Sequence, residues 1–327
     1  MKLLLVGPFP PPHGGVSVHV AEMKRRAHSD GIPCRVLNID RRADPSPHYI
    51  RVNGAGSFLL QLLGHSLRGW TIHIHTNGHN LKSWLVAFAG GVAGRLGRGS
   101  HLTLHSGIMP DYVAGRWRRR FLARVTCRSF TRVTCVSSRL EDAVKSLGIP
   151  SDRIDVTPAF RGLHQRSAHW VLSPSLEKWF ENHYPVFSAT ASNRPEYGAE
   201  LLVETIARLR FNRKTAGCLL IGLGEEAKRV RTIIEKLGLS KSVLLLGDVA
   251  HEECLHVISR SSAFIRPTLT DGDSISVREA LALGVPVIAS DAAVRPEGTV
   301  VFQTGNSVDL MTKMECVLER SLQDFAR

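Results

Sequence analysis

Two short apolar runs, Ala263-Phe264-Ile265 and Val285-Pro286-Val287-Ile288-Ala289, are separated by one polar loop and one short helix pattern. Runs that are apolar at every position are buried on both faces, as parallel strands are when helices cover the sheet. The chain between them, from Arg266-Pro267-Thr268 to Asp271-Gly272-Asp273-Ser274, turns at Pro267 and Gly272. Ile275 to Leu283 then carries helical spacing and stops at Gly284, with Pro286 blocking any continuation. Asp273 or Ser274 is predicted to cap that helix through a side-chain oxygen. The unit reads strand, loop, helix, parallel strand.

Ligands of open α/β sheets bind beyond the carboxyl ends of the strands, where the 267–274 loop falls. The unpaired N–H groups of a helix start favour an anion there. Asp271 on the loop and Glu279 in the helix lie eight residues apart, so they can hold opposite ends of one polar ligand. Carboxylates accept from hydroxyls, and paired hydroxyls are what sugars and ribose offer. The same residues also describe a capped surface loop with one solvated glutamate.

The alternation of strand and helix recurs along the chain. Lys2 to Val6 is a strand, followed by a stiff proline loop ending in Gly14-Gly15 and a helix from Val16 to Ala27. Strands are further predicted over 72–75, 101–104, 132–137 and 153–158, with helices over 81–96 and 138–147. Residues 40–56 read as a loop and 159–183 show little periodicity. The pattern restarts with a strand at 186–190, a helix at 199–210, and strands at 218–222 and 243–247. For 327 residues this means two doubly wound parallel-sheet, Rossmann-like domains facing a cleft, 1–162 and 185–327, with a linker at 163–184.

A formal net charge of +13 points to an anionic partner: a nucleotide, a phospholipid surface, an anionic glycan or nucleic acid. The segment 116–132 interleaves arginines, including Arg118, Arg119 and Arg120, with Trp117, Phe121, Leu122 and Val125. That composition suits an interfacial helix on anionic lipid, and equally a solvated basic face over a core; nucleic acid comes behind both. No apolar run reaches the ~18 residues of a membrane span, and the opening apolar run is too short for a signal sequence. The expected location is cytoplasmic, or peripheral on the inner face of the membrane. The six cysteines form no Cys-x-x-Cys pair and read as reduced thiols. His73 and His75 share one strand face, as do His101 and His105, but no cysteine pair or acidic ligand accompanies them, so no metal is expected.

The spacing Asp271, seven residues, Glu279, then Ala280 and Gly284-Val285-Pro286-Val287, resembles the donor-site motif of the retaining GT-B glycosyltransferases of family 4, with Asp in place of the usual first Glu. The resemblance implies that Asp271 holds donor-sugar hydroxyls and Glu279 the nucleotide ribose, with Gly272, Asp273 and Ser274 facing the diphosphate. It places Gly14 and Gly15 opposite the donor phosphates, and His105 of His105-Ser106-Gly107 beside the reacting sugar. Gly222, after the second strand of the second half, and backbone atoms near Val249 are implied on the donor side.

The pattern departs where the family has a diphosphate-gripping Arg and Lys: Tyr197 stands in the Lys position and Arg194 is displaced by two residues. Little follows Leu310 to Phe325, so the family's returning C-terminal helix is expected to be short or absent. The function implied is sugar transfer from a nucleotide sugar to a glycan or lipid-linked acceptor, with retention and without a divalent metal. Asp271-Gly272-Asp273 has the spacing of a metal clamp and is the alternative to that last point. A binding protein that has lost turnover, or a nucleotide-sugar epimerase, are the competing readings.

Overall fold

Each predicted apolar run forms a strand, and all paired strands run parallel. The computed structural model describes residues 1–40, 43–157, 172–224 and 227–325. The chain divides into two compact units, Met1–Ala159 and Phe160–Arg327.

In the first unit β1 (Lys2–Gly7) leads into α1 (Gly15–Ser29), β2 (Cys34–Asn38), β3 (Ile50–Arg51) and α2 (Ala55–Leu67). Then come β4 (Trp70–Thr76), α3 (Leu81–Arg95), β5 (Ser100–Leu104), α4 (Met109–Ala114) and α5 (Trp117–Ser129). The unit closes with β6 (Arg132–Cys135), α6 (Ser138–Ser146) and β7 (Ile154–Val156). The strands lie in the order β3-β2-β1-β4-β5-β6-β7. Leu3 and Leu5 of β1 pack with Val36 of β2 against Val20 and Ala27 of α1, as strand alternation and helical spacing require. Every residue of the central strand β4 is buried, its two histidines included. The two-residue β3 and the helix α2 occupy chain that sequence reading left partly as the 40–56 loop.

The first described element of the second unit is α7 (Pro174–Glu181), within the predicted 163–184 linker. Ser173 caps this helix by accepting from the Leu176 N–H, and Leu176 and Phe180 enter the apolar core. The amphipathic spacing of these two residues makes α7 part of the unit; the linker residues up to 171 lie outside the described ones. The unit continues with β8 (Val186–Thr190), α8 (Ala199–Leu209), β9 (Gly217–Ile221), α9 (Lys228–Lys236), β10 (Val243–Gly247) and α10 (His251–Ser259). β11 (Ala263–Arg266), α11 (Ile275–Ala282), β12 (Val287–Ser290), β13 (Thr299–Phe302) and α12 (Ser307–Phe325) complete it. The sheet order is β10-β9-β8-β11-β12-β13. Leu310, Met314, Val317 and Leu318 of α12 are buried in the same core as Leu202 and Ile206 of α8.

The loops after β8 and β11 are fastened to each other at Gly198. Its φ of 68° is left-handed, and a Cβ there would stand 1.9 Å from the Pro267 carbonyl oxygen. One step on, the Leu269 N–H donates to the Glu196 carbonyl at 2.8 Å. The close backbone approach therefore sets where the 267–274 loop begins. Gly198→Ala is expected to destabilise the chain by at least about 1–3 kcal/mol from backbone strain alone. Urea unfolding measures it, and a variant within experimental error of the parent would show that the two loops do not depend on this contact.

Candidate functional site

In the second unit the site is built around a buried charge cluster. Arg266, the last residue of β11, donates from Nε to Asp271 Oδ2 at 2.9 Å and from Nη2 to Oδ1 at 3.1 Å. Arg295, in the loop between β12 and β13, donates from Nη1 to Asp271 Oδ2 at 2.9 Å. Thr268 Oγ1 and the Gly272 N–H give Asp271 two further bonds, at 3.1 and 3.0 Å. The three charged side chains are 10, 9 and 3% exposed for Arg266, Asp271 and Arg295. Burial alone would raise the Asp271 pKa, but Arg266 and Arg295 outweigh it and hold the carboxyl well below the usual range.

Five donors fill a carboxylate that offers about four lone-pair sites. Asp271 is thus engaged by its own loop and by two arginines, a structural role that the expectation of a sugar-holding carboxylate did not include. Asp273, the other half of the Asp-x-Asp spacing, accepts from Arg278 Nε at 2.6 Å. Both carboxylates face guanidinium groups. The cap prediction is also adjusted. Ser274 occupies the N-cap position of α11, but its side chain makes no capping bond and lies 3.2 Å from Ser276 Oγ.

Glu279, one turn into α11, is 5% exposed and lies 2.6 Å from His251 Nε2 at the start of α10. Sequence reading passed over His251 because nothing local marks it; the contact spans 28 residues and depends on α10 packing beside α11. Arg194 and Tyr197 part company. Arg194 is more than half exposed with Glu196 at 3.8 Å, while the Tyr197 ring lies 5.1 Å from the Arg266 guanidinium. Where a lysine was expected, an aromatic face covers the buried arginine.

Gly222 has a structural reason of its own, with φ at 88° and the Ala191 carbonyl 2.5 Å from where its Cβ would be. Val249 is half-buried and packs on the apolar core that also holds Val277 and Ala280 of α11.

In the first unit Gly14 sits at the N-cap of α1, and its N–H donates to Ser17 Oγ at 2.8 Å. Among the described residues nothing approaches a Cβ at Gly15 within 4 Å, so their packing does not demand glycine there. His105 follows β5 directly and its N–H donates to the Thr76 carbonyl at 3.0 Å. Its Nε2 lies 3.3 Å from His75 Nδ1, and its ring is edge-on to that of His19 on α1. Burial, then the neighbouring histidines, hold His105 and His75 well below the usual imidazole range, so both are neutral near pH 7. His73, stacked 4.3 Å from His75 and bonded to Thr103 Oγ1 at 2.8 Å, is pushed down to about 3 by burial and by His101 and His19.

The Asp271 cluster is testable by charge removal. Asp271→Asn keeps the shape and leaves two buried guanidinium groups without an anion, an expected loss of about 3–5 kcal/mol at pH 7. In the parent chain the stabilisation from the depressed carboxyl is full well above about 4 and is lost progressively as pH falls from there toward the much lower native pKa, because the unfolded carboxyl takes up its proton first. Urea melts at pH 7 and about pH 2.5 decide this; a pH 7 stability matching the parent would mean the two arginines are adequately solvated without Asp271.

Comparison with known proteins bears on both units. Residues 13–160 match the family described as Glycosyltransferase Family 4, and residues 177–313 match Glycosyl transferases group 1. A GDP-mannose-dependent monoacylated alpha-(1-6)-phosphatidylinositol monomannoside mannosyltransferase of Corynebacterium glutamicum is 25% identical over 146 residues, 41% of this chain and 38% of that one. An uncharacterized glycosyltransferase of Methanocaldococcus jannaschii is 24% identical over 313 residues, 89% of this chain and 79% of its own length. The chain spans 30–45% of the length of several other glycosyltransferases it matches. Among solved structures, Anabaena HepE in complex with UDP-glucose superposes with a TM-score of 0.75 at 16% identity, over 98% of this chain and 91% of that one. That likeness speaks for the fold. With one glycosyltransferase family matched in each half and two parallel α/β units in its fold, the chain belongs to the GT-B glycosyltransferases.

Proposed function

We propose that the chain transfers a sugar from a nucleotide-sugar donor to a glycan or lipid-linked acceptor with retention of anomeric configuration. The observation that carries this reading is Glu279: a nearly buried carboxylate held by His251, one helical turn beyond an N-terminus at the carboxyl end of a parallel sheet. A carboxylate so placed accepts from ribose hydroxyls while the first-turn N–H groups of α11 meet the diphosphate. Arg194, exposed on the loop after β8, supplies a cation for the same phosphates. Asp271 acts as a positioning residue that fixes the loop through Arg266 and Arg295. The diphosphate charge is met by these protein groups, without a divalent ion at Asp271 and Asp273. His105 serves the reacting sugar. Two relatives support the donor class: the mannosyltransferase named for GDP-mannose, and the HepE structure with UDP-glucose.

Glu279→Ala is expected to weaken binding of the nucleotide product by about ten- to a hundredfold, from about 1.5–3 kcal/mol of lost hydrogen bonding. His105→Ala is expected to lower kcat and kcat/KM together while nucleotide binding is kept. Calorimetric titration of each variant with GDP and UDP, beside steady-state kinetics in EDTA, measures both. Unchanged nucleotide affinity in Glu279→Ala would remove the basis of the donor-site assignment, and activity lost in EDTA and restored by Mg²⁺ or Mn²⁺ would remove the metal-free donor chemistry.

We propose further that α5 docks the chain on an anionic membrane carrying the acceptor. Along this helix Trp117 and Phe121 are 73 and 62% exposed, on the stripe that also carries Arg124 and Arg128. Phe121 thus points outward, while Ala123, Thr126 and Cys127 form the inner face. Two of the three consecutive arginines are engaged by the protein: Arg119 stacks 4.2 Å from the Tyr112 ring and Arg120 donates to Ser146. α3 packs against both α5 and α2, and Leu81 and Leu85 of α3 and Leu60 and Leu67 of α2 are exposed as well. Among the described residues no helix is long and apolar enough to cross a membrane. Neutralising Arg118, Arg124 and Arg128 is expected to weaken binding to anionic vesicles by ~1 kcal/mol per charge. Sedimentation with anionic and with neutral vesicles reads this out; binding that ignores lipid charge would return α5 to the status of a solvated face.

A further inference from the structure

The fully buried strand β4 carries two histidines that apolar packing does not explain, and one of them, His75, turns its Nδ1 toward His105 and its ring toward His19. We propose that His19, His75 and His105 form a binding site for one divalent late-transition-metal ion of the zinc type.

The three residues come from three elements that the fold brings together: the first turns of α1, the carboxyl half of β4 and the residue following β5. One ring nitrogen from each lies within 4.8 Å of the other two. His75 Nδ1 and His105 Nε2 are 3.3 Å apart, about the separation of two nitrogens on one tetrahedral zinc with bonds of about 2.0–2.1 Å. His19 has to approach by at most about 1.5 Å to complete that spacing. Its half-buried place on a helix lets side-chain rotation supply the movement, whereas the other two ligands stay on the sheet.

The donor set selects the metal class. Three imidazoles without a carboxylate suit zinc, copper or nickel and exclude the oxygen-seeking magnesium and calcium. Two supports hold the ligands in place. His73 stacks on His75 and is itself fixed by Thr103, and the His105 backbone is bonded to Thr76. Three protein ligands leave a fourth position for water or an anionic oxygen. All three ligands belong to the first unit, whereas Asp271 and Asp273 belong to the second.

The test is metal uptake by the whole chain, a readout independent of sugar transfer. Cobalt(II) titration of the chelator-treated protein is expected to give one equivalent with visible absorption bands of a four-coordinate site, displaced by zinc. His19→Ala is expected to weaken uptake by roughly tenfold or more, with the fold retained because the residue lies on a helix surface. His75→Gln, near in size, gives the same loss if the chain folds, judged by circular dichroism. Uptake unchanged in His19→Ala would place the metal on other histidines and overturn the assignment, as would six-coordinate spectra or no binding at all. Loss of uptake with transfer intact would leave the glycosyltransferase reading standing, and the reverse would leave the metal site standing.

Discussion

The loop that follows β11 takes its shape from one buried carboxylate. Asp271 ties the end of β11 through Arg266 to the β12–β13 connection through Arg295, and so draws together three segments that the sheet alone leaves free. Two cations and one anion out of water gain little net stability, because desolvation offsets most of their attraction. The return is geometric. Arg266 also reaches Thr190 at the end of β8, and Thr190 donates to Ser276 in the first turn of α11. The start of α11 is therefore referenced to the strands on either side of β11.

The first unit reaches a comparable end by other means. Its polar residues at the carboxyl end of the sheet are imidazoles, and burial keeps His73, His75 and His105 neutral. Neutral rings stack and pack without the self-repulsion that five protonated histidines would bring. The second unit fixes a loop with charges of opposite sign, and the first holds a cluster with no charge. Both arrangements sit on parallel sheets whose apolar layers are complete without them.

How far the sequence disclosed this follows from range. The strands were legible because they are short apolar runs punctuated by Gly and Pro, and α11 because Gly284 and Pro286 mark its end. Glu279 stood out for its spacing from Asp271, but the spacing concealed that Asp271 serves two arginines. Arg295 lies 24 residues away and is joined through tertiary structure. His19 was hidden in the same way, on a helix next to strands whose histidines were noticed as pairs along the chain. The edge strand β3, two residues long, carries too little pattern to register, and α7 was masked by an aperiodic neighbourhood. Tyr197 was read as a missing lysine; its relation to Arg266 requires the fold.

The His251–Glu279 contact engages one oxygen, Oε1, of a nearly buried carboxylate. A carboxylate has a second oxygen and about four acceptor directions in all, so the imidazole does not use it up. What the contact does is set the plane of the carboxyl group while the chain folds. Under the proposed donor reading, ribose hydroxyls then meet an acceptor whose direction is already chosen, and little side-chain freedom is left to lose on binding. The helix α10 thereby acts as a brace that orients Glu279 from behind.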